Sequence, residues 1–344
     1  MGKKRTERSG SGVITIIDIA RDAGVSPSTV SRVLSGNPRV DASMRVAVEA
    51  SAKKLNYRPN MVAQGLVRGR SNTIGVLTQN MNSLFYGEMV IGIEQQLYQT
   101  GYFPLLASGN WNLPNLPTEL DALDVLLGRQ IDGLIILAGQ LPDERLRAVA
   151  DQLPLILVAR TAAGLEDRCL QIDNYQGAYA AVQYLLQCGH TRIAHITGKM
   201  VQTDAQDRYA GYCAALEDAG VGIDPQLIVE GTFQEQGGIQ AIEVLLERGV
   251  QMSAIFAAND PLAYGARLAL FRHDIQVPDD ISLVGFDDQS NSVYCIPPLT
   301  TVRQPALEMG AAAAAAMLRL LAGKPLELPT IATNLIIRES TRQL

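Results

Sequence analysis

The chain has 344 residues, 47% of them apolar, and a formal net charge of −6, which allows two or three compact units with sizeable cores. No apolar run reaches the length of a bilayer span and the polar N-terminus lacks a secretory pattern, so a cytoplasmic protein with no membrane partner is expected. The charge is uneven: residues 1–70 hold 13 Lys/Arg against 5 Asp/Glu, whereas residues 71–344 hold 16 against 30, so a basic head suited to phosphate precedes an acidic body that is not.

Residues 1–12 carry Lys3, Lys4, Arg5 and Arg8 among Gly and Ser and read as a disordered basic tail. Next comes a helix-turn-helix pattern. Ile16, Ile19, Ala20 and Ala23 recur at helical spacing, Gly24 stops the first helix, Ser26 caps the second and Pro27 suits its first turn. Val30, Val33 and Leu34 are expected inside. Ser28, Thr29, Ser31 and Arg32 remain as a short polar outer face of the size that enters a DNA major groove. A surface helical hairpin would share this pattern; the basic balance of the segment favours DNA. Asp41 or Ser43 can cap a third helix with apolar residues at Val46, Ala50 and Leu55, which Asn56–Asn60 breaks. Residues 61–67 form a short possible helix, weakened by Gly65, before a linker at 68–72. Seven residues do not hold a helix alone in water; such a segment folds only against a surface, or remains linker.

Residues 14–72 resemble the headpiece and hinge of the lac repressor family of bacterial transcription regulators. The resemblance is carried by Ile16–Ala20, Gly24–Val25–Ser26, Thr29–Leu34, Asn56–Asn60 and Ile74–Gly75–Val76. It implies a headpiece at 13–60, a hinge at 61–72 and an effector-binding and dimerisation domain at 73–344. It also implies that Pro27, Ser28 and Arg32 face base edges, and that Leu66 wedges into the minor groove at the centre of a palindromic operator. Pro27 has no side-chain donor, so only apolar contact comes from it. Arg32 is the residue able to give guanine a bidentate pair. Thr29, Ser31 and Asn37 suit phosphates, and Tyr57, Asn60 and Ala63 complete the expected DNA-contacting set.

From residue 73, apolar runs alternate with helical patterns. Strands are expected at Thr73–Leu77, Phe103–Ala107, Gly133–Leu137, Leu155–Val158, Leu170–Asp173, Arg192–Ile196, Leu227–Glu230, Ala254–Ala257 and Ser282–Phe286. Helical stretches such as 86–100, 176–187, 206–219 and 237–248 lie between them. The βα repeat predicts parallel sheets covered by helices. The fold class expected is therefore α/β: a small all-α helix-turn-helix headpiece, then a two-lobe body like that of periplasmic binding proteins. Nine strands are too many for one comfortable sheet, so the lobes divide near Arg160–Arg168. Lobe 1 is expected to cover about 73–165 plus 303–322, and lobe 2 about 166–302 plus 323–344. By the resemblance, Leu299–Val302 and the helix 306–321 return to lobe 1.

Ligands of open α/β sheets bind beyond the carboxyl ends of strands. Asn82–Tyr86, Asp173–Asn174, Arg208, Phe233, Asn259–Asp260 and Asp287–Asp288 follow successive strands. Any one Asp or Asn there is adequately explained as a helix cap. Together, amides, carboxylates, a guanidinium and aromatic faces suit a sugar or similar polyhydroxyl or nucleoside ligand. The family resemblance narrows the effector-binding set to Phe85, Arg160, Arg208, Phe233, Asn259 and Asp287. Several members carry an aspartate where Ala159 stands; Arg160 beside it is the substitute donor expected here, and it would favour an anionic ligand.

No catalytic residues, cofactor or metal are expected. Gly198–Lys199–Met200 lacks P-loop spacing, no GxGxxG follows the first strand, and the three histidines have no partners at metal spacing. Four cysteines lie without CxxC spacing and read as small core residues. The expected function is an effector-responsive, sequence-specific regulator of transcription, a repressor, whose partners are double-stranded DNA, a small molecule and a second copy of itself. A dimer rather than a tetramer is expected, because no heptads follow Arg338. The rival is a sugar-binding receptor without operator-specific regulation, against which the basic headpiece speaks.

Overall fold

A computed structural model describes residues 14–57, 70–109, 117–329 and 331–344. The tail at 1–12, the expected hinge helix at 61–67 with Ala63, Leu66 and Gly65, and also Asn60 lie outside the described residues. The chain divides into two compact units, residues 1–71 and 72–344. Among the described residues there are eleven α-helices and eleven β-strands.

The first unit holds three helices: α1 (Ile16–Ala23), α2 (Pro27–Leu34) and α3 (Ala42–Lys54). Each starts where a side chain or proline satisfies the first turn. Asp18 accepts from the Thr15 N–H at 3.0 Å, Ser26 Oγ from the Thr29 N–H at 3.1 Å, and Asp41 from the Ser43 N–H at 2.8 Å. Gly24 ends α1 in the left-handed region at φ 68°, and the Val25 N–H returns to the Ala20 carbonyl at 3.0 Å. Ile19, Ala20, Val30, Val33 and Val48 are buried together, with Leu34, Leu55 and Tyr57 packed partly against them. Three helical positions differ from the sequence pattern. Ile16 is exposed, and α3 buries Val48 and Ser51 while Ala50 is exposed and Val46 stands 66% exposed. Ser51 Oγ donates to the Ile19 carbonyl at 3.4 Å, so a polar residue occupies the packed face and disguises its period.

The second unit is built on two sheets. Strands β1 (Thr73–Thr78), β2 (Phe103–Ser108), β3 (Gly133–Leu137), β4 (Leu155–Val158) and β5 (Cys169–Leu170) form the first, in the order β2-β1-β3-β4-β5, all parallel. One face packs on α4 (Leu84–Leu97) and α11 (Ala306–Leu321); the other packs on α5 (Glu119–Gly128) and α6 (Asp143–Ala150). The second sheet holds β6 (Ile193–Thr197), β7 (Ile228–Glu230), β8 (Ala254–Ala257), β9 (Ser282–Asp287), β10 (Thr300–Arg303) and β11 (Asn334–Ile336). Its order is β11-β10-β9-β8-β6-β7, and β11 runs antiparallel to β10, the exception to the parallel rule. Its helices are α7 (Asn174–Gln187) and α8 (Thr203–Asp218) on one face, and α9 (Glu235–Glu247) and α10 (Asp260–Arg272) on the other.

The chain passes between the sheets three times, and the positions correct two expectations. Because β5 pairs with β4, the first passage lies after Leu170, C-terminal to the division expected near residue 165. The strand Thr300–Arg303 stays in the second sheet beside β9, and the return to the first lobe begins with α11. Leu326 and Leu328 still lean on the first lobe, and Ile331 bridges Ile172, before β11 rejoins the second sheet.

Glycines set how closely the helices approach. A Cβ on Gly92 of α4 would lie 2.0 Å from the Leu307 carbonyl of α11, and one on Gly310 of α11 would lie 1.9 Å from the Met89 carbonyl of α4. The pair α9 and α10 repeats this through Gly238 and Gly265.

Candidate functional site

On the headpiece, α2 presents Pro27, Ser28, Ser31 and Arg32 to solvent, and Thr29 is half-buried. The Ser26 hydroxyl lies 2.8 Å from that of Ser28 and 2.9 Å from that of Thr29, so the cap also orients these two hydroxyls. Arg32 folds back along its helix, its Nε donating to the Ser28 carbonyl at 3.3 Å. Asn37 makes the turn into α3: its Oδ1 accepts the Arg39 N–H at 2.9 Å and its carbonyl accepts Arg45 Nη2 at 2.7 Å. Tyr57 is half-buried against the three-helix core.

In the body, a cleft of about 610 Å3 opens between the carboxyl ends of the two sheets. Phe85, Arg208, Phe233, Asn259 and Asp287 all line it. Arg208, on α8, is 3% exposed. Its Nε donates to Asn174 Oδ1 at 2.9 Å, its Nη1 to the Ala258 carbonyl at 2.5 Å, and its guanidinium lies 4.0 Å from the centre of the Phe286 ring. Nη1 is also 3.9 Å from Asp287 Oδ1. Carbonyl, amide, carboxylate and aromatic face thus fix the arginine fork before any ligand arrives.

Asp287 ends β9 in a non-glycine left-handed conformation at φ 112°. Its carboxylate accepts from Gln304 Nε2 at 2.6 Å and Gln289 Nε2 at 3.2 Å. Burial pushes this carboxyl up, against the pull of Arg208 and the two amides. Its neighbour Asp260 is fully buried, accepting from Ser292, Thr301 and the Gln289 N–H. Burial, and then the charge of Asp287, push Asp260 up as well. Asp260 does not line the cleft; it holds the β9 and β10 ends together.

Asn259 caps α10, accepting the Leu262 N–H at 3.0 Å, and its Nδ2 donates to the Phe233 carbonyl at 3.1 Å. Phe233 itself sits at φ 60°. Its ring lies directly on Gly198, where a Cβ would be 1.9 Å from Phe233 Cζ. Phe85 and Tyr86 face it from the first lobe, their ring centres 5.6 Å apart.

Besides Asp260, and Asn174, whose Oδ1 accepts Arg208 Nε, three expected positions fall outside the lining of the main cleft. Asp173 caps α7, accepting the Gln176 N–H at 2.9 Å. Asp288 turns away to Arg303 and Arg338, at 2.7 and 2.6 Å. Arg160 lines an adjoining cavity rather than the main cleft. Its Nη2 donates to the Leu141 carbonyl at 3.0 Å and to Asp143 at 3.3 Å. Its charge is already answered by Asp143 and Glu119, and burial lowers its pKa. Cleft residues that sequence reading left out include Gln79, Gln202, Asp204 and Gln289. Gln79, Gln202 and Gln289 are polar loop residues with no distinguishing spacing, and Asp204 lies in the first turn of α8; only position after a strand could have nominated Gln79. His195 is a core residue, stacked between Tyr212 and Phe256 with Nδ1 at 2.8 Å from the Phe256 carbonyl; burial lowers its pKa to about 4.

Residues 15–60 match the family of bacterial regulatory proteins, lacI family, and residues 182–341 match the periplasmic binding protein-like domain. The HTH-type transcriptional regulator GalR of Escherichia coli (strain K12) is 37% identical over 326 residues, covering 94% of each chain. The ribose operon repressor of the same organism is 35% identical over 298 residues, covering 86% of this chain and 89% of its own. The crystal structure of the lac repressor dimer bound to operator and the anti-inducer ONPF superposes with a TM-score of 0.85 at 29% identity, covering 96% of this chain and 99% of that one. Likeness on this scale, over a helix-turn-helix unit and a two-sheet body alike, makes this chain a member of the LacI family of bacterial transcription regulators.

Proposed function

We propose that the protein is a cytoplasmic transcription repressor that binds a palindromic operator as a homodimer, and that a small polyhydroxyl effector, a sugar or sugar derivative, controls its operator affinity. One observation carries the effector reading. Arg208, Phe233, Asn259 and Asp287 come from four separate segments of the second lobe and converge on one cleft that Phe85 closes from the first. A guanidinium, an amide and a carboxylate bond neighbouring hydroxyls in pairs, and an aromatic face packs on a sugar ring. The operator reading is supported by the exposed α2 face and the basic balance of residues 1–70. The relatives named above are regulators and a repressor, and no step of catalysis is assigned to this cleft. Coupling between the two sites is reciprocal, so operator DNA must change effector affinity by the factor the effector changes operator affinity.

The test takes an operator recovered by selection from random duplexes. Gel shifts are run with the full chain and with the chain lacking residues 1–72, while a thermal-shift screen of sugars identifies a stabilising ligand. Retardation by the full chain alone, altered by that ligand and left unaltered in Arg208→Ala, is the expected pattern. Retardation by the truncated chain, or a full ligand response in a folded Arg208→Ala protein, would overturn it.

A further inference from the structure

Beside the main cleft lies a second cavity of about 290 Å3, and Gln79, Gln202 and Asp204 line both. At about 30 Å3 per water molecule of the liquid, it has room for on the order of ten waters, comparable to one sugar ring with its hydroxyls. Ala159 leaves this space open, since its side chain ends at Cβ. The walls hold polar atoms that no described residue satisfies: Arg160 Nε and Nη1, and Gln202 Oε1. Such atoms are costly to leave unbonded, and a ligand hydroxyl or water completes them.

The charge of the combined space selects among ligands. Asp143, Asp204, Glu235 and Asp287 stand against Arg160 and Arg208. Arg160 already answers Asp143 at 3.3 Å, and Arg208 lies 3.9 Å from Asp287. The remaining balance is negative, which repels an anionic group and leaves the spare Arg160 donors to neutral oxygens. The anionic ligand expected from Arg160 in the sequence is thereby disfavoured.

We propose that the second cavity is a sugar subsite, and that the effector is an uncharged two-ring polyhydroxyl with one ring on Phe233 in the main cleft and the other between Gln202 and Arg160. This rests on the reading of the main cleft as the effector site. The full-length protein is titrated calorimetrically with cellobiose, lactose, maltose, trehalose and sucrose, with their constituent monosaccharides, and with glucose 6-phosphate. At least one disaccharide is expected to bind about tenfold or more tighter than either of its constituents, and glucose 6-phosphate to bind more weakly than glucose. Thr161→Trp, at an exposed position lining the second cavity, is expected to bring the disaccharide down to monosaccharide affinity. Gln202→Ala, which adds no bulk, is expected to weaken the disaccharide as well.

A monosaccharide that binds as tightly as every disaccharide containing it overturns the second subsite and leaves the main cleft standing. Undiminished disaccharide binding in folded Thr161→Trp and Gln202→Ala proteins overturns it too. Tighter binding of the phosphate refutes the uncharged class. Binding of none of these probes overturns both the subsite and the reading on which it rests.

Discussion

The contact between Gly198 and Phe233 can be tested by a double-mutant cycle. A Cβ at position 198 would fall 1.9 Å from Phe233 Cζ and 2.1 Å from Cε2. Side chains do not approach so closely, so Gly198→Ala forces the ring off its seat and out of the cleft. The backbone of Phe233 resists, because its carbonyl is held by Asn259 Nδ2 at 3.1 Å. Overpacking of this kind costs about 1–3 kcal/mol. Phe233→Ala removes the ring without a clash, and alanine at position 198 then has open space before it. In that background Gly198→Ala should cost no more than about 0.5 kcal/mol, a coupling of about 1–2 kcal/mol between the sites. Urea unfolding of the wild type, both single variants and the double variant measures this. Calorimetry with the ligand from the sugar screen should show both single variants weakened about tenfold or more, since each takes the aromatic face from the cleft. Additive unfolding costs would show that the ring does not rest on Gly198, and the description of the cleft floor would fail with them.

Three further outcomes are expected. Arg32→Ala should cost about 1–3 kcal/mol at the selected operator and relax specificity at one base pair; equal losses on operator and random duplexes, measured by fluorescence anisotropy, would make Arg32 a phosphate contact. Effector binding should weaken as pH falls through about 6, where the raised carboxyl of Asp287 takes a proton and loses the ionised form that accepts ligand hydroxyls; calorimetry between pH 7.5 and 5 checks this, and affinity constant across that range would remove Asp287 from the ligand's partners. Gly310→Ala should lower the stability of the body by about 1–3 kcal/mol or more, because its Cβ meets the Met89 carbonyl, a backbone atom that cannot swing aside; an unchanged urea midpoint would contradict the close crossing of α4 and α11.

Much of the architecture was legible because local chemistry and burial agree along the chain. Ser26, Pro27 and Gly24 mark helix ends by their own hydrogen-bonding and conformational limits, and the structure uses each as such. Runs such as Leu155–Val158 and Ala254–Ala257 are apolar throughout because helices cover both faces of their sheets. Where reading failed, a tertiary contact had overridden the local pattern. Ser51 occupies a packed face through its bond to Ile19, so Val46 took the place of Val48 in the expected core. The strand Cys169–Leu170 is too short to show its allegiance, which only pairing with β4 decides. Arg208, Phe233, Asn259 and Asp287, nominated by their positions after strands, line the cleft. The same rule could not separate Asp287 from Asp288, since adjacent residues differ only in which way the chain turns them.

The reciprocal glycine contacts between α4 and α11, and between α9 and α10, bear on how the body can move. Helices seated backbone against backbone cannot slide without lifting apart, so each lobe behaves as a stiff jaw. Torsion is then confined to the three connections between jaws: the segment after Leu170, Gln304–Pro305, and the stretch following Leu321. The second of these carries Gln304, whose amide grips Asp287 in the cleft. A ligand that draws on that carboxylate therefore pulls on a hinge pin, and variants that uncouple ligand from response should gather at these pivots and leave the helices between them silent.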